Sequence, residues 1–567
     1  MITEVLTNSV FAKPRAACLA TALLMLGTSN AYAVTTATPV SASIEKFNTF
    51  TIKLVRTDIA TNKFHEFPMI TFTKGTKSFA VEGFFDGDEN GDASGNVWKA
   101  RFMPDEIGTW NYAWDFNGDT GNGSFSVVEQ SNSLVRGHVH RSGRFLKADD
   151  GKGFVFRGSN WPDTKRIRVN EADTSQTFIS DTDWVNYVTR LSETKHNGVN
   201  IQAMDRLVNN DRASFDLTWT SKIDRAVQEA GKKGIYVVLG LFNTWSRDKL
   251  DPFATAIPSA DQILDPWNNN LMAEKEFYLR YLAARFAGYY NIFWELGNEM
   301  EHTNSGGAFA SLANNNYIPW LHKYDPYDLP MTLSEGIYTS INVDIGGLHQ
   351  GQNISINETL PMIHSEQVGI SGATDVLWGG QACRDPINRK YYRRTIWKGF
   401  FEGGSGSIEC SLPFSGTAPF TTMADFLADS NVRNVMEDHG RLATLISLFK
   451  NDLTQLIPLS SSNLGSTPSS IKLRALSGSE YVGYFYGGLP SAGASITLSL
   501  PAGSFVAQWF SPSSGSISAM ETVASGNTLT SPWGSEFDAI LHVYSSAYVN
   551  MTLPTKVQGA QLTKTVK

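Results

Sequence analysis

Cysteine and charge are both scarce in this chain. Only three of its 567 residues are cysteines, and charged residues make up 18%. With so few cysteines, disulfides cannot be the main source of stability, whereas a hydrophobic content of 41% is typical of a globular protein rather than a disordered one. The formal net charge of −8 leaves no basic footprint, so nucleic acid is not an expected partner.

Several catalytic motifs are also missing. Gly403-Gly-Ser-Gly-Ser407 departs from the Gly-x-Ser-x-Gly elbow of serine hydrolases at its last residue. No His-x-x-x-His zinc pair and no phosphate-binding loop occur in the sequence. Beyond the N-terminal region, no apolar run is long enough to span a bilayer. We therefore expect a soluble mature chain, and no cofactor is expected from these motifs.

The N-terminus has the pattern of a secretory signal. Lys13 and Arg15 precede an apolar stretch over 16–26, and Ala31-Tyr-Ala33 fits a small-x-small cleavage site. The stretch is too short for a membrane span, although a retained anchor stays an alternative. We therefore expect cleavage near Ala33 and a secreted or periplasmic mature chain.

The two cysteines of the mature chain are Cys383 and Cys410, because Cys18 leaves with the signal. An even pair in an oxidising compartment can form one disulfide. Two separate buried thiols are the equal alternative, since the sequence does not supply the Cα separation.

Residues 44–130 and the region after 468 share one pattern. Both alternate apolar and polar residues in short runs that are broken by Gly, Asp, Asn, Ser or Pro, such as Trp98–Phe102 and Tyr481–Tyr486. Short strands with regular turn signals predict a β-sandwich at each end of the chain.

From about residue 145 the pattern changes to alternating strands and amphipathic helices. Trp184, Val188 and Leu191 show the helical spacing after a cap expected at Asp181 or Asp183, and a last helix is predicted over 433–455. Eight alternations in roughly 300 residues predict a (β/α)₈ TIM barrel. The strand candidates are 154–158, 199–203, 235–239, 291–294, 331–334, 343–346, 362–364 and 406–408.

The predicted fold is thus multidomain, a central TIM barrel flanked by two β-sandwiches. We expect a signal peptide over 1–33, an N-terminal Ig-like β-sandwich over 34–138, the catalytic barrel over 139–457, and a C-terminal β-sandwich with a tail over 458–567.

Two glutamates close apolar runs of the predicted barrel. Glu299 follows the fourth strand as Asn298-Glu299, and Glu366 follows the seventh. The carboxyl ends of barrel strands are where such folds hold their catalytic residues. Two carboxylates converging there could act as acid and nucleophile on a glycosidic bond, with Asn298 suited to the sugar 2-hydroxyl. An ordinary loop carboxylate remains the alternative for either residue, since charged residues are mostly exposed.

These residues resemble the clan of retaining glycoside hydrolases with catalytic glutamates on strands 4 and 7. The pattern Phe154-Val-Phe-Arg-Gly158, the spacing from Pro361 to Glu366, and Arg393-Arg394 with Trp397 and Gly403-Gly404 resemble the apiosidase-like subgroup. The motifs 84–88 and 101–110 resemble an uncharacterised domain often fused before such barrels. The C-terminal sandwich resembles a module that is named for collagen binding.

The resemblance implies a retaining hydrolase in which Glu299 is the general acid/base and Glu366 the nucleophile. The first strand departs from the subgroup, because Gly158-Ser-Asn-Trp161 replaces its usual Gly-Asp-Thr-Ala-Trp, so apiose specificity is not carried over. Glu335 is the strongest rival nucleophile, and Glu295 is expected to lie too deep. The other rival carboxylates are Glu301, Glu402 and Glu409.

Other polar and aromatic residues follow predicted strands and are candidates for substrate binding. Arg206 could also pair with Glu366 and lower the pKa of that carboxyl. The candidates are Asn298, Asn160, Trp161, Asp205, Arg206, Asn243, Trp245, His349, His364, Trp378 and Glu409. Core packing is the alternative for each Trp, and a structural role for each His.

Asp86-Gly-Asp-Glu-Asn-Gly-Asp92 resembles a calcium loop, with Asp86, Asp88, Asn90 and Asp92 as possible ligands. Its twelfth position is Val97 instead of the expected Glu, so an ordinary hairpin is favoured over a structural calcium site. For the whole chain, the alternatives to an enzyme acting on carbohydrate are a non-catalytic carbohydrate-binding protein with an inactive barrel and a structural, collagen-binding surface protein. The oligomeric state stays open.

Overall fold

In the computed structural model, the described part of the chain contains 31 strands arranged in seven sheets. The residues described are 35–59, 62–160, 180–201, 204–209, 211–242, 267, 269–298, 300, 306–333, 339–349, 360–367, 369–371, 375–377, 386–408, 422–467, 469–487, 493–534 and 538–550. Within this part, no helix combines the length and apolar character that crossing a bilayer requires.

The N-terminal region is a sandwich of two sheets. One has the strand order β1-β3-β7-β6 and the other β2-β9-β8-β4-β5. Aromatic rings join the two sheets, with Phe50 stacked on Phe125 at 3.6 Å and Phe72 on Phe102 at 4.2 Å between ring centroids. The strands are β1 (Thr36–Pro39), β2 (Ser43–Glu45), β3 (Phe50–Val55), β4 (Met69–Lys74), β5 (Lys77–Glu82), β6 (Phe84–Gly87), β7 (Val97–Phe102), β8 (Gly108–Phe116) and β9 (Asp119–Val128). The predicted sandwich is confirmed.

A small antiparallel sheet connects this sandwich to the barrel. It comprises β10 (Val139–Ser142), β11 (Phe145–Ala148) and β12 (Gly153–Phe154). Phe154 pairs with Leu146 in this sheet, so the prediction that the first barrel strand begins at Phe154 is wrong. The barrel strand starts three residues later, because the local hairpin takes up the first apolar residues of the run.

Eight parallel strands form the nearly closed barrel, and the TIM-barrel prediction is confirmed. Strand β13 pairs with both β14 and β22, so the first and last strands are neighbours, and among the described residues the sheet ends at β17 and β18. The strands are β13 (Arg157–Asn160), β14 (Gly198–Ile201), β15 (Tyr236–Gly240), β16 (Ile292–Glu295), β17 (Met331–Thr332), β18 (Gly346–His349), β19 (Met362–Gln367) and β22 (Gly404–Ile408). The short hairpin β20 (Gly369–Ser371) and β21 (Asp375–Leu377) follows β19.

The helices surround the barrel, and four of them begin at a capping side chain, namely Ser180, Asp216, Thr422 or Asp429. Ser180 accepts a hydrogen bond from the Asp183 backbone N–H at 3.0 Å, so the cap is Ser180 and not the predicted Asp181 or Asp183. The predicted last helix is shorter, ending at Ile446. The helices are α1 (Asp181–Glu193), α2 (Leu217–Lys232), α3 (Met272–Phe286), α4 (Gly306–Leu312), α5 (Ile318–Tyr324), α6 (Pro386–Phe401), α7 (Met423–Ala428) and α8 (Ser430–Ile446). Single 3₁₀ turns occur at Lys63–His65, Met204–Leu207, Ser461–Asn463 and Ser546–Asn550.

The connection between the fifth and sixth barrel strands is irregular over its described residues, 339–345. A π-helical turn, Ala313–Tyr317, joins α4 to α5 beside it. Asn314 in this turn donates its side-chain N–H to the Ser340 carbonyl at 2.8 Å and accepts from the Asn342 N–H at 2.8 Å. Asp344 accepts from the Met331 N–H at 3.0 Å, which links β17 to the residues that lead into β18.

The C-terminal region again contains two facing sheets, as predicted. A six-stranded sheet has the order β23-β25-β26-β31-β28-β29, and a three-stranded sheet the order β24-β27-β30. The strands are β23 (Ile457–Leu459), β24 (Gly465–Ser466), β25 (Ser470–Leu476), β26 (Glu480–Gly487), β27 (Ser495–Leu498), β28 (Phe505–Phe510), β29 (Glu521–Val523), β30 (Thr528–Thr530) and β31 (Ala539–Ser545).

Candidate active site

The carboxyl ends of the barrel strands collect several of the predicted site residues. Asn160 is the last residue of β13, His349 is the last of β18, and Glu366 lies near the end of β19. The 3₁₀ turn that contains Asp205 and Arg206 follows β14. Because parallel barrel strands end at one rim, these backbone positions all lie at the same end of the barrel.

Glu366 lies at an irregularity of the seventh strand. His364 pairs with Gly406 and Gln367 with Ile408, so three steps along β19 match two along β22. The extra residue therefore lies between His364 and Gln367. Ser365 still pairs with His349, the last residue of β18, so Glu366 is the first residue of β19 beyond that pairing. A β-bulge bends its strand and re-aims a side chain, and such bulges are frequent beside active sites.

The tip of the fourth strand is held tightly at Asn298. Its backbone N–H donates to the Phe242 carbonyl at 2.9 Å, and the residue is buried. A Cβ on Gly297 would lie 2.5 Å from Met300 Cγ and 3.0 Å from Phe309 Cζ, so only glycine fits there. Glu299 itself lies outside the described residues, between two buried neighbours, Asn298 and Met300.

Aromatic rings fill the opposite end of the barrel interior. The Phe156 ring lies 5.8 Å from that of Phe293, and a Cβ on Gly158 or Gly198 would overlap the Phe156 ring. Since strand side chains alternate, Glu295 points the same way as Phe293 and lies one layer above it. Glu295 is buried, in agreement with the expectation that it lies too deep in the barrel.

Asn200 and Ser407 are polar groups inside the barrel that sequence analysis did not single out. Gly198 faces the Phe156 ring, so Asn200, two residues on, points inward as well. A Cβ on Gly158 would lie 2.3 Å from Ser407 Oγ, which places that hydroxyl in the interior too. The alternation of Val199-Asn-Ile201 was the available signal for Asn200. Together with Glu295 they give the interior a polar middle layer between its apolar floor and its mouth.

Glu402 is not a site residue, so its prediction as a rival catalytic carboxylate is wrong. It precedes β22 and therefore lies at the amino-terminal end of the barrel strands. Its carboxylate pairs with Lys472 of the C-terminal sheet. The Glu402 carboxylate thus contributes to a contact between the barrel and the C-terminal sheet.

Asp86, the first residue of the calcium-like loop, is an ion-pair partner. It is buried, and its two oxygens lie 2.7 Å from Arg285 Nη2 and 2.7 Å from Lys99 Nζ. Burial alone would raise the pKa of Asp86, but the Arg285 and Lys99 cations outweigh it and lower the pKa. Asp88 Oδ1 accepts from the N–H groups of Asn90 and Asp92 at 2.7 and 2.9 Å, as in an Asx-type hairpin turn. Within the described residues, no three His, Cys, Asp or Glu side chains are grouped to hold a metal ion.

For the remaining predicted site residues, the structure describes either nothing or the backbone alone. The residues outside the described part are Trp161, Asn243, Trp245, Glu299, Glu301, Glu335, Trp378, Cys383, Glu409 and Cys410. Those whose backbone alone is described are Asn160, Asp205, Arg206, His349, His364 and Glu366. The proposed Arg206–Glu366 pair and the Cys383–Cys410 disulfide stay predictions.

The Arg-Arg-x-x-Trp motif lies away from the barrel mouth. Arg393 and Arg394 bind Asp538, which precedes β31 of the C-terminal sheet, and Trp397 donates to the Asp438 carbonyl at 3.1 Å. The motif therefore forms part of a contact between domains.

Comparison with known proteins agrees with this geometry. Residues 162–329 match the cellulase family, glycosyl hydrolase family 5, over a segment that includes Asn298-Glu299 and ends before Glu366. This part of the barrel is therefore similar to family 5 glycoside hydrolases. Residues 43–117 match a domain of unknown function, DUF5060. A search of the curated proteins gave no match.

Two crystal structures from Bacteroides vulgatus share the fold. One is described as a candidate glycoside hydrolase, is 13% identical, and aligns over 89% of this chain and 100% of its own with a TM-score of 0.60. The other is a glycoside hydrolase family 5 protein, 17% identical over 73% of this chain and 94% of its own, with a TM-score of 0.52. At these identities the likeness concerns the fold alone, while the family match supports a glycoside hydrolase.

Proposed function

We propose that the chain is an exported retaining glycoside hydrolase that cleaves O-glycosidic bonds of a polysaccharide or oligosaccharide. The observation that supports this most is the bulge at Glu366, at the same end of the barrel as the Asn298-Glu299 tip. Retention requires the two carboxyl groups to lie about 5–5.5 Å apart, a distance that tips of facing strands can reach.

In the proposed mechanism, Glu366 attacks the anomeric carbon while Glu299 protonates the departing glycosidic oxygen. The resulting glycosyl–enzyme ester is hydrolysed by a water that Glu299, now ionised, deprotonates. Asn298 binds the sugar 2-hydroxyl. The rate should follow a bell-shaped pH profile, because one carboxyl must be ionised and the other protonated.

Substrate binding is proposed for the other residues at the rim. Trp161, Trp245 and Trp378 would stack on sugar rings, and Asp205, Arg206 and His349 would hold hydroxyl groups. Asn160 and Glu409, which end the first strand and follow the last, would contact the sugar between them. We place the enzyme near the apiosidase-like subgroup without its sugar preference, because Gly158-Ser-Asn-Trp161 departs from the subgroup at the first strand.

Export is proposed from the N-terminal pattern alone, with cleavage near Ala33. No metal or organic cofactor is needed for the two-carboxylate mechanism. The proposed partner is therefore the carbohydrate substrate.

Trapping the covalent intermediate is the first test. The full chain is incubated with a panel of activated 2-deoxy-2-fluoro glycosides, and its intact mass is measured. The expected result is one stable adduct that peptide mapping assigns to Glu366. An adduct on Glu335 would keep the enzyme class and reassign the nucleophile.

Matched variants separate catalysis from binding. Glu366→Gln and Glu299→Gln should each lose at least a hundredfold in turnover with an accepted aryl glycoside, whereas Glu521→Gln, exposed on β29, should match the wild type. Glycan binding without turnover or adduct for any sugar would instead favour a non-catalytic carbohydrate-binding protein.

A further inference from the structure

The six-stranded C-terminal sheet is covered on both faces. One face packs on the barrel helices, where the Trp397 ring lies 5.9 Å from Phe510 and the Phe401 ring 5.5 Å from Tyr484. The opposite face packs on the three-stranded sheet through a second apolar cluster that includes Phe485. In the described chain, neither face of this sheet is open to a glycan.

A buried charge cluster lies within the helix-facing contact. Asp538 is fully buried and accepts from Arg394 Nε at 2.9 Å, from Arg393 Nε at 3.4 Å and from the Tyr484 hydroxyl at 3.1 Å. Arg393 also donates to Asp438 of α8 at 3.0 Å. A buried carboxylate is stable only with such partners, so Asp538 fixes the two arginines of α6 relative to the sheet.

Two further contacts hold the helix ends. Arg474 of β25 donates to the Phe400 carbonyl at the end of α6 at 3.2 Å, where a cation complements the helix dipole. Glu480 of β26 accepts from the N–H groups of Lys450 and Asn451, just beyond α8, at 2.8 Å each. The sheet therefore restrains residues 393–401 of α6 directly, and it also restrains the chain that follows α8.

Helix α6 lies in the connection between β19, which carries the proposed nucleophile, and the last barrel strand, β22. It follows β19 along the chain and contacts β20, whose first residue is three positions after Glu366, as well as β22. A shift of α6 would therefore be transmitted to the end of β19.

We propose that Asp538 is a positioning residue for the barrel. By holding Arg393 and Arg394 it fixes α6, and through α6 it fixes the bulged end of β19 at Glu366. The C-terminal sandwich thus serves as a support for the active end of the barrel rather than as a separate binding module. The effect on turnover rests on the proposed function, whereas the effect on β19 does not.

Hydrogen exchange of the full chain tests the coupling directly. Asp538→Asn keeps the size of the side chain and an acceptor for Tyr484 but removes the charge that holds the arginines. Peptides covering 362–371 and 386–401 should exchange at least tenfold faster, while those of the N-terminal sandwich should be unchanged. Leu529→Ala is the control, because it destabilises the C-terminal sandwich from the three-stranded sheet, away from the cluster.

A structural role alone would make the two variants alike. If Asp538→Asn lowers the melting temperature as Leu529→Ala does and leaves exchange over 362–371 at the wild-type rate, the proposal is overturned. Arg394→Gln is a milder second variant, since Arg394 is partly exposed, and Arg394→Lys should restore part of the protection.

Turnover supplies the second readout. At a temperature where the variants are fully folded, Asp538→Asn should lower kcat severalfold with KM little changed, and Leu529→Ala should leave both unchanged. An inactive wild-type chain would refute the proposed function, while the exchange experiment would still decide the positioning role.

Discussion

Arg285 joins the N-terminal sandwich to the barrel through a buried charge cluster. Its fully buried guanidinium donates to Asp224 at 2.9 Å and lies 2.7 Å from Asp86. Asp224 also accepts from Arg101 at 2.6 Å. The carboxylate of this one α2 residue therefore binds two guanidinium groups, Arg101 from β7 and Arg285 from α3. The cluster is satisfied only while all its members are present.

Replacing Arg285 by Met should therefore be costly. Removing one partner leaves Asp224 and Asp86 buried with too little positive charge, and such losses cost about 3–5 kcal/mol. Urea unfolding measures the change. Arg433→Met is the control, because the exposed Arg433–Glu437 pair should contribute less than about 0.5 kcal/mol. Equal effects of the two substitutions would contradict the prediction.

Gly297 is a second residue with a specific requirement. In Gly297→Ala the new Cβ would press on Met300 and Phe309, and an overpacked site costs about 1–3 kcal/mol. The displacement should also lower turnover, because Asn298 and Glu299 follow directly. Gly534→Ala, at a position with open space around its Cβ, should change neither the melting temperature nor the rate.

At the scale of elements, the π-helical turn holds the irregular connection between the fifth and sixth barrel strands. Asn314→Ala removes two hydrogen bonds to that connection and leaves the Asn342 N–H without this acceptor, which should cost about 1–2 kcal/mol. Asn315→Ala in the same turn is the matched control, since Asn315 is exposed. Thermal unfolding compares the two, and a larger effect at Asn315 would argue against this role for the turn.

The element pattern was largely predictable from the sequence, and its errors have physical causes. Alternation gave the sandwiches, and apolar runs gave the approximate positions of the barrel strands, because burial dictates both patterns. The prediction of the sixth strand over 343–346 is wrong by three residues, since the strand is Gly346–His349. Periodicity could not assign Phe154 to the hairpin, since Phe154-Val-Phe156 is equally apolar in either strand. The sequence did not identify Ser180 as the cap of α1, because the nearby Asp181 and Asp183 are equally good capping residues.

The site was predictable only in part. Sequence order placed Asn298 and Glu366 at strand ends, but the bulge at Glu366 depends on pairing with β22, which no local pattern reveals. Arg393 and Arg394 bind Asp538, which is distant in the sequence. The motif therefore indicated a resemblance to the subgroup but did not predict where its arginines lie in the fold.

At the scale of the whole molecule, buried histidines make stability depend on pH. Burial lowers the pKa of His138 to about 4 and that of His196 to about 3. The unfolded chain binds these protons near pH 6.5, so stability is present above that pH and is lost as the pH falls toward the folded pKa values. Each histidine should contribute a slope of about 1.4 kcal/mol per pH unit between these limits.

The unfolding free energy measured from pH 7 to pH 4 should show this slope. His138→Gln can keep the contact to the Tyr289 carbonyl. It should lower the slope by the contribution of one histidine, about 1.4 kcal/mol per pH unit. Asn315→Ala, at an exposed position without a titratable group, should leave the slope as in the wild type. An unchanged slope in His138→Gln would refute the assignment.

The described chain should also unfold as one unit. A single apolar cluster runs from Phe50 of the N-terminal sandwich through the barrel to Tyr484 and Phe510 of the C-terminal sheet. Calorimetry should therefore give one transition, because the N-terminal sandwich, the barrel and the six-stranded C-terminal sheet share this cluster. Two well-separated transitions would contradict this expectation.

The contact between α6 and Asp538 has a consequence for how this architecture can be recombined. Two arginines of the helix bind one buried aspartate that directly precedes β31 of the sheet. A hybrid gene joined near residue 457 would place the arginines against a foreign sheet that lacks their counter-charge. Exchange of C-terminal sandwiches between relatives should therefore succeed only when the outward residues of this helix are inherited together with the sheet.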